Sequence, residues 1–233
     1  MANLISTNLA AVKAAIAAAP SVKTVRLVAV SKIKPAEDVE AAFNAGQMTF
    51  GENYVAELVE KSQRLIHCEG IRWHFIGNLQ KKNCSKLTTC KNLSVVETVD
   101  SEKVATALNN GWGRNGGGTK LGVLIQVNTS REDQKAGCMP ETLTGLSDFI
   151  NGQCPHLNLQ GVMTIGAFGY DWSQGPNPDF VELLDCHKKL GESLERDDLE
   201  ISMGMSDDFV KAIEMGSTNV RVGSKIFGAR DPK

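Results

Sequence analysis

The chain has 233 residues, 42% of them hydrophobic and 22% charged, which is enough apolar material for one large core or two small ones. A formal net charge of -2 and an isoelectric point near 6.1 give no general pull toward nucleic acid or an anionic membrane surface. The composition therefore argues against a polyelectrolyte-binding protein and favours a globular protein acting on small molecules.

The chain opens on an alanine-rich stretch, residues 9–19 (LAAVKAAIAAA). It is too short for a membrane span, which needs about 20 apolar residues, and Lys13 interrupts it. Alanine favours helix, so the segment reads as an opening amphipathic helix, with a mitochondrial address as the alternative. The expected location is cytoplasmic, with a mitochondrial pool as the lesser option.

Eight short runs rich in β-branched residues follow: 25–31, 48–50, 72–76, 94–98, 120–127, 159–165, 199–203 and 219–222. Helix-like segments separate them, beginning with PAEDVEAAFNAG, where Pro35 should start a helix, and NYVAELVEKSQRLI. A shorter polar piece after Asn78 comes next, then SEKVATALNN, PETLTGLSDFING, NPDFVELLDCHKKLGESL and SDDFVKAIEMG. Gly46 and Gly216 stand where helices should stop. Alternation of this kind calls for a parallel sheet with crossover helices, and eight repeats favour closure. The expected fold is a single-domain α/β protein, a (β/α)8 TIM barrel over residues 1–233, with an open doubly wound sheet as the alternative.

Two connectors stand out. GWGRNGGGTK (111–120) lacks the terminal Lys-Ser/Thr pair of a phosphate-binding loop and reads as a flexible surface turn. AFGYDWSQGPNPD (167–179) follows the sixth strand on the face where barrel active sites lie, and a loop of that length is often functional. The six cysteines show neither CxxC pairs nor zinc-ribbon spacing, so they read as reduced packing thiols, and no metal site is expected.

Residues at the C-terminal ends of barrel strands line the mouth. The first strand ends in Ser31-Lys32. A lysine amine attacks an aldehyde only when neutral, and desolvation or neighbouring positive charge drives it toward that state. Position alone is a weak signal, because most lysines after strands are solvated. The last two strands end in Gly204-Met205-Ser206 and Arg221-Val222-Gly223-Ser224. Barrels often hold phosphate at this place with backbone N–H groups, glycines and hydroxyls. For Ser206 a second reading stands beside that one: a helix cap, with Asp207 and Asp208 answering the helix dipole.

Taken together, LVAVSK (27–32), TFGENYVAEL (49–58), WHFIGNLQKKN (73–83), ETVDS (97–101), VNTS (127–130), GVMTIG (161–166), QGPNPDF (174–180), SMGMSDDF (202–209) and GSTNVRVGSKIFGAR (216–230) carry a resemblance. In order and at barrel spacing, they resemble the pyridoxal phosphate homeostasis protein family across nearly the whole chain. The resemblance implies a barrel similar to the N-terminal domain of bacterial alanine racemase, with pyridoxal 5'-phosphate held as an internal aldimine on Lys32. It implies phosphate contacts at Ser206, Gly223 and Ser224, Arg221 near the pyridine nitrogen and a cofactor-side contact at Asn53. It also points to His74, Asn78 and Met163 as residues lining the mouth, with scaffold packing as the alternative. Departures are Asn78, where relatives commonly carry histidine, and Arg131, where they often carry glycine.

The implied role is intracellular handling of pyridoxal phosphate, that is vitamin B6 homeostasis, by a monomer without robust turnover. The implied partners are the cofactor and apo forms of enzymes that use it. An arginine beside the pyridine nitrogen disfavours its protonation and weakens the ring as an electron sink. Racemisation also needs an acid/base on the second face, and the chain has only Tyr54 and Tyr170 as tyrosines. A weak amino-acid racemase is the runner-up, followed by a barrel enzyme whose Lys32 forms a Schiff base with another phosphorylated metabolite.

Overall fold

The computed structural model describes residues 2–21, 23–116, 118–132, 134–167 and 169–229. Gly117, Phe168 and Arg230, which fall in stretches singled out above, lie outside them. The eight expected strands all form: β1 (Arg26–Val30), β2 (Thr49–Glu52), β3 (Arg72–Phe75), β4 (Leu93–Val99), β5 (Leu121–Gln126), β6 (Leu157–Met163), β7 (Glu200–Ser202) and β8 (Asn219–Val222). They pair in parallel and in chain order, and β8 returns to β1 with Arg26 opposite Asn219 and Ala29 opposite Val222, closing the barrel. All six residues of β5 are buried, as expected of a parallel strand covered on both faces.

Helices α1 (Ala2–Ala18), α2 (Ala36–Asn44), α3 (Val55–Arg64), α4 (Lys81–Leu87), α5 (Glu102–Asn115), α6 (Leu143–Gln153), α7 (Pro178–Leu194), α8 (Phe209–Glu214) and α9 (Ser224–Phe227) surround it. The opening helix begins earlier than its alanine run and buries Ile5, Leu9 and Val12, a single stripe at helical spacing. Pro35 takes the cap position one residue before α2, with φ -65° already suited to the helix. Among the described residues no helix is long and apolar enough to cross a membrane.

Two local expectations are revised and a third is sharpened. The glycine-rich stretch 111–120 is not a surface turn at its start, because α5 continues through Gly111, Trp112 and Gly113 to Asn115. The glycines serve close packing there. A Cβ on Gly111 would lie 2.7 Å from Thr88 Oγ1, and one on Gly113 would lie 2.7 Å from the His156 ring. Trp112 is buried between them and donates its Nε1–H to Thr119 O at 2.7 Å.

The helix after β7 begins at Phe209 with Asp208 at its cap position, so Ser206 does not cap it. Instead Asp208 Oδ1 accepts from Met205 N at 2.6 Å, which leaves the Ser206 hydroxyl for another partner.

The loop 167–179 holds a short 3-10 turn, Trp172–Gln174, and a built N-terminus for α7. Asn177 accepts from Asp179 N at 2.9 Å, and Asp179 Oδ2 accepts from Ala167 N at 2.6 Å. Those bonds tie the two ends of the loop together. The QGPNPDF motif is thus a helix start in this fold.

Candidate functional site

The ends of β1, β2, β7 and β8 surround a cavity of about 370 Å³ at the C-terminal face of the barrel. Lys32, Asn53, Ser206, Arg221, Gly223 and Ser224, the six residues singled out from the sequence, all line it. Ile76, Ile165 and Met205, from the strand ends expected at the mouth, complete much of the wall together with Lys34, Asp207 and Phe227, which had drawn no attention as site residues.

The chain leaves β1 at Val30 and turns at once, with Ser31 N donating to Gly51 O at 3.0 Å and Lys34 N to Ser31 O at 3.0 Å. Lys32, half-buried, sits inside this turn. On the opposite side Gly223 precedes the short helix α9 and donates its N–H to Ser206 Oγ at 3.2 Å. That bond joins the β7 and β8 loops into one cradle. Gly223 is tightly packed, since a Cβ there would lie 3.0 Å from Val30 O and 3.3 Å from Val30 Cβ. Beneath the cavity a Cβ on Gly51 would lie 2.8 Å from Val28 Cγ1 and 3.1 Å from Ile76 Cδ1.

Arg221 enters from β8, buried, with its guanidinium held from below. Nη1 donates to Ser202 Oγ at 2.6 Å and Nη2 to Thr164 O at 2.7 Å. Ser202 passes the contact on, donating to Glu97 Oε2 at 2.6 Å. Glu97 Oε1 meets His74 Nδ1 at 2.6 Å and accepts from Asn219 Nδ2 at 3.1 Å. Burial alone would push the Glu97 carboxyl up. The His74 hydrogen bond and charge, the Arg221 charge and the Ser202 hydroxyl outweigh it and bring the carboxyl down to about 2. Burial lowers the Arg221 guanidinium from its ordinary value, with Glu97 and Asp208 opposing. The cavity thus receives a cation whose aim is fixed by planar, hydrogen-bonded geometry.

His74 and Met163 are not mouth residues. His74 belongs to the network just described, and Met163 packs with Val95 and Leu124 in a small cluster of their own. Both share the barrel interior with Ser202 and Arg221, in layers beneath the mouth, so a place near a strand end does not ensure a place in the cavity wall. Asn78 lines a second cavity of about 230 Å³, which shares Ile76 and Ile165 with the first. Lys135 also lines that second cavity, ion-paired to Glu132 at 2.6 Å and donating to Gly166 O at 3.1 Å. Its only sequence signal was its place in the charged loop after VNTS. Arg131, where the resemblance led to an expectation of glycine, has φ 55°, the left-handed region that glycine enters freely. No described residue of the loop 167–179 lines either cavity.

All six cysteines are buried free thiols, as the spacing suggested. Burial pushes Cys84, Cys90, Cys138 and Cys186 up to about 11 or 12, which keeps them unreactive.

A parallel barrel with a lysine at the end of β1, facing a serine-and-glycine cradle after β7 and β8, is a barrel of the alanine racemase N-terminal type. Residues 3–231 match the family described as alanine racemase, N-terminal domain. An alanine racemase of Clostridium difficile 630, in complex with cycloserine, superposes with a TM-score of 0.77 at 14% identity, over 99% of this chain and 60% of that one. At that identity the likeness speaks for the fold alone. PipY of Synechococcus elongatus PCC7942 with PLP bound superposes with a TM-score of 0.82 at 29% identity, covering 96% of this chain and 100% of that one. The pyridoxal phosphate homeostasis protein of Bos taurus is 54% identical over 211 residues, 88% of this chain and 77% of the relative. The chain belongs to the pyridoxal phosphate homeostasis protein family.

Proposed function

We propose that this chain binds pyridoxal 5'-phosphate in the mouth cavity, covalently through the Lys32 amine, and serves cofactor homeostasis without robust turnover. The observation that carries the reading is the convergence of Lys32, Asn53, Ser206, Arg221, Gly223 and Ser224 on one cavity. The cavity also fits the group in detail. Asn53 Oδ1 is buried with no hydrogen-bond partner among the described residues, a standing acceptor for a hydroxyl on the ring. The Gly223 backbone lies close against Val30 at the end of β1, and the first amides of a helix have no partner within it. Family membership and the PLP-bound relative support the same reading.

The cofactor, when bound, supplies an aldehyde that condenses reversibly with primary amines. Lys32 offers the amine from the β1 turn. Ser206, Gly223 and Ser224 hold the phosphate, Arg221 lies toward the ring nitrogen, and Asn53 contacts the ring edge. The buried Arg221 cation disfavours a proton on that nitrogen and so restrains electron withdrawal by the ring. Neither tyrosine lines the cavity as a second-face acid or base. Tyr54 stands exposed at the cap of α3, and the Tyr170 hydroxyl donates to Pro176 O at 3.2 Å. Retention and delivery to apo-enzymes by a cytoplasmic monomer are therefore favoured over racemisation.

Borohydride reduction of the cofactor-loaded protein followed by peptide mass spectrometry should place a pyridoxyl group on Lys32, and Lys32→Ala should abolish it. Labelling elsewhere, or cofactor-dependent exchange of the α-proton of alanine at enzymatic rates, would overturn the corresponding half of the proposal.

A further inference from the structure

Helix α3 buries Leu58, Lys61 and Ser62 against the barrel. A lysine in that company is unusual, because an ammonium taken from water must be given acceptors for its donors. Lys61 has three N–H groups and finds three acceptor contacts: Ser31 O at 2.7 Å, Glu52 Oε1 at 2.7 Å and Glu57 Oε1 at 2.6 Å. Glu57 Oε1 in turn accepts the backbone N–H of Ile33 at 2.7 Å. Ser31 Oγ closes the cluster on Glu52 Oε1, also at 2.7 Å.

The placement of these bonds along the backbone gives the cluster its meaning. The Ser31 carbonyl belongs to the peptide unit before the Lys32 Cα, and the Ile33 N–H to the unit after it. Peptide units are planar, so the orientation of the two planes flanking a Cα fixes its φ and ψ, and with them the direction of Cα–Cβ. Both planes around Lys32 are tied to one buried ammonium, directly on one side and through Glu57 on the other. Between them Lys34 N closes the turn on Ser31 O at 3.0 Å, with Ile33 at φ 64°, a conformation that a branched side chain adopts only under constraint. Ile33 is half exposed, so packing of its side chain does not account for the conformation.

We infer that Lys61, with Glu57 as its relay, is the positioning residue for Lys32: it sets the turn that aims the Lys32 amine across the cavity at the cofactor's aldehyde. This rests on the proposed function. In the step it serves, the amine nitrogen adds to the aldehyde carbon, the carbonyl oxygen leaves as water and a C=N bond forms. Misdirecting the amine slows that step without touching the phosphate cradle, since Lys61 does not line the cavity.

The test compares pyridoxal 5'-phosphate with pyridoxine 5'-phosphate, which has the same ring and phosphate but no aldehyde. Lys61→Met should bind pyridoxine 5'-phosphate as the parent does while gaining the visible absorbance of the lysine-bound cofactor at least about 10-fold more slowly. Glu57→Gln keeps an oxygen acceptor for the Ile33 N–H and should fall between the two. Lys61→Arg, which keeps a buried cation, serves the same comparison should the methionine variant not fold; its expected defect is again in linkage rate and not in pyridoxine 5'-phosphate affinity. Parent-like linkage rates in the folded variants overturn the inference. So does an equal loss for both compounds that tracks a fallen melting temperature, which marks a purely structural role. A parent protein that binds neither compound overturns the cofactor reading itself, and is told apart by that.

Discussion

Glu52 and Glu97 are both fully buried at the barrel, one at the end of β2 and the other on β4, yet their carboxyls are driven in opposite directions. Burial pushes Glu52 up to about 7, with Lys61 and Ser31 resisting. Glu97, under a heavier burial penalty, is held at about 2 by its partners. The difference lies in how the oxygens are used. Each Glu97 oxygen accepts at least one hydrogen bond, from Ser202 on one side and from Asn219 and the His74 ring on the other. On Glu52 both Ser31 and Lys61 donate to Oε1, and Oε2 is buried with no partner among the described residues. Desolvation decides where donors are lacking, and hydrogen bonds decide where they are supplied to both oxygens.

The largest effect expected from breaking this contrast is at Glu97. Glu97→Ala would strand the Arg221 guanidinium, Ser202, Asn219 and His74 in the barrel interior, at a cost of about 3–5 kcal/mol by urea denaturation. A loss under about 1 kcal/mol would mean that the network relaxes or hydrates without it.

The pH profile sharpens the contrast next. The folded chain keeps a proton on Glu52 up to about 7, whereas the unfolded chain releases it near 4.5, so stability declines as pH rises through that interval. For Glu97 the folded value lies below the unfolded one. Its contribution is therefore complete above 4.5 and is lost as pH falls toward 2. The Glu52 decline is on the order of 3–4 kcal/mol at most, at about 1.4 kcal/mol per pH unit. Glu52→Gln should flatten the stability profile between pH 5 and 8 and leave the acid limb in place. An unchanged upper limb would refute the assignment to Glu52.

The smallest effect belongs to Ser31→Ala. Loss of one donor to Glu52 should cost about 1 kcal/mol and shift the decline to higher pH, read from the same denaturation series.

Much of this architecture was legible in the sequence, and the failures share a cause. Alternating β-branched and helical segments announced eight strands, and each formed within two residues of its expected bounds. Lys32, Ser206 and the Arg221-Val222-Gly223-Ser224 run were readable because barrel topology sends every strand end to one face. The clusters beneath them were not. Lys61 meets Ser31 across 30 residues, and Ser202 meets Glu97 across 105, so no local pattern marks either pair. Gly111 and Gly113 looked like loop glycines because only the tertiary neighbours Thr88 and His156 explain why side chains are missing there. His74 and Met163 were placed at the mouth by segment resemblance, which carries no information on how deep in the barrel a side chain sits.

Gly51 is packed where a side chain would press on Val28 and on Ile76, and Ile76 belongs to the walls of both cavities at the mouth. Any enlargement at Gly51 is therefore relayed through Ile76, and a position that touches no guest sets the room left for one.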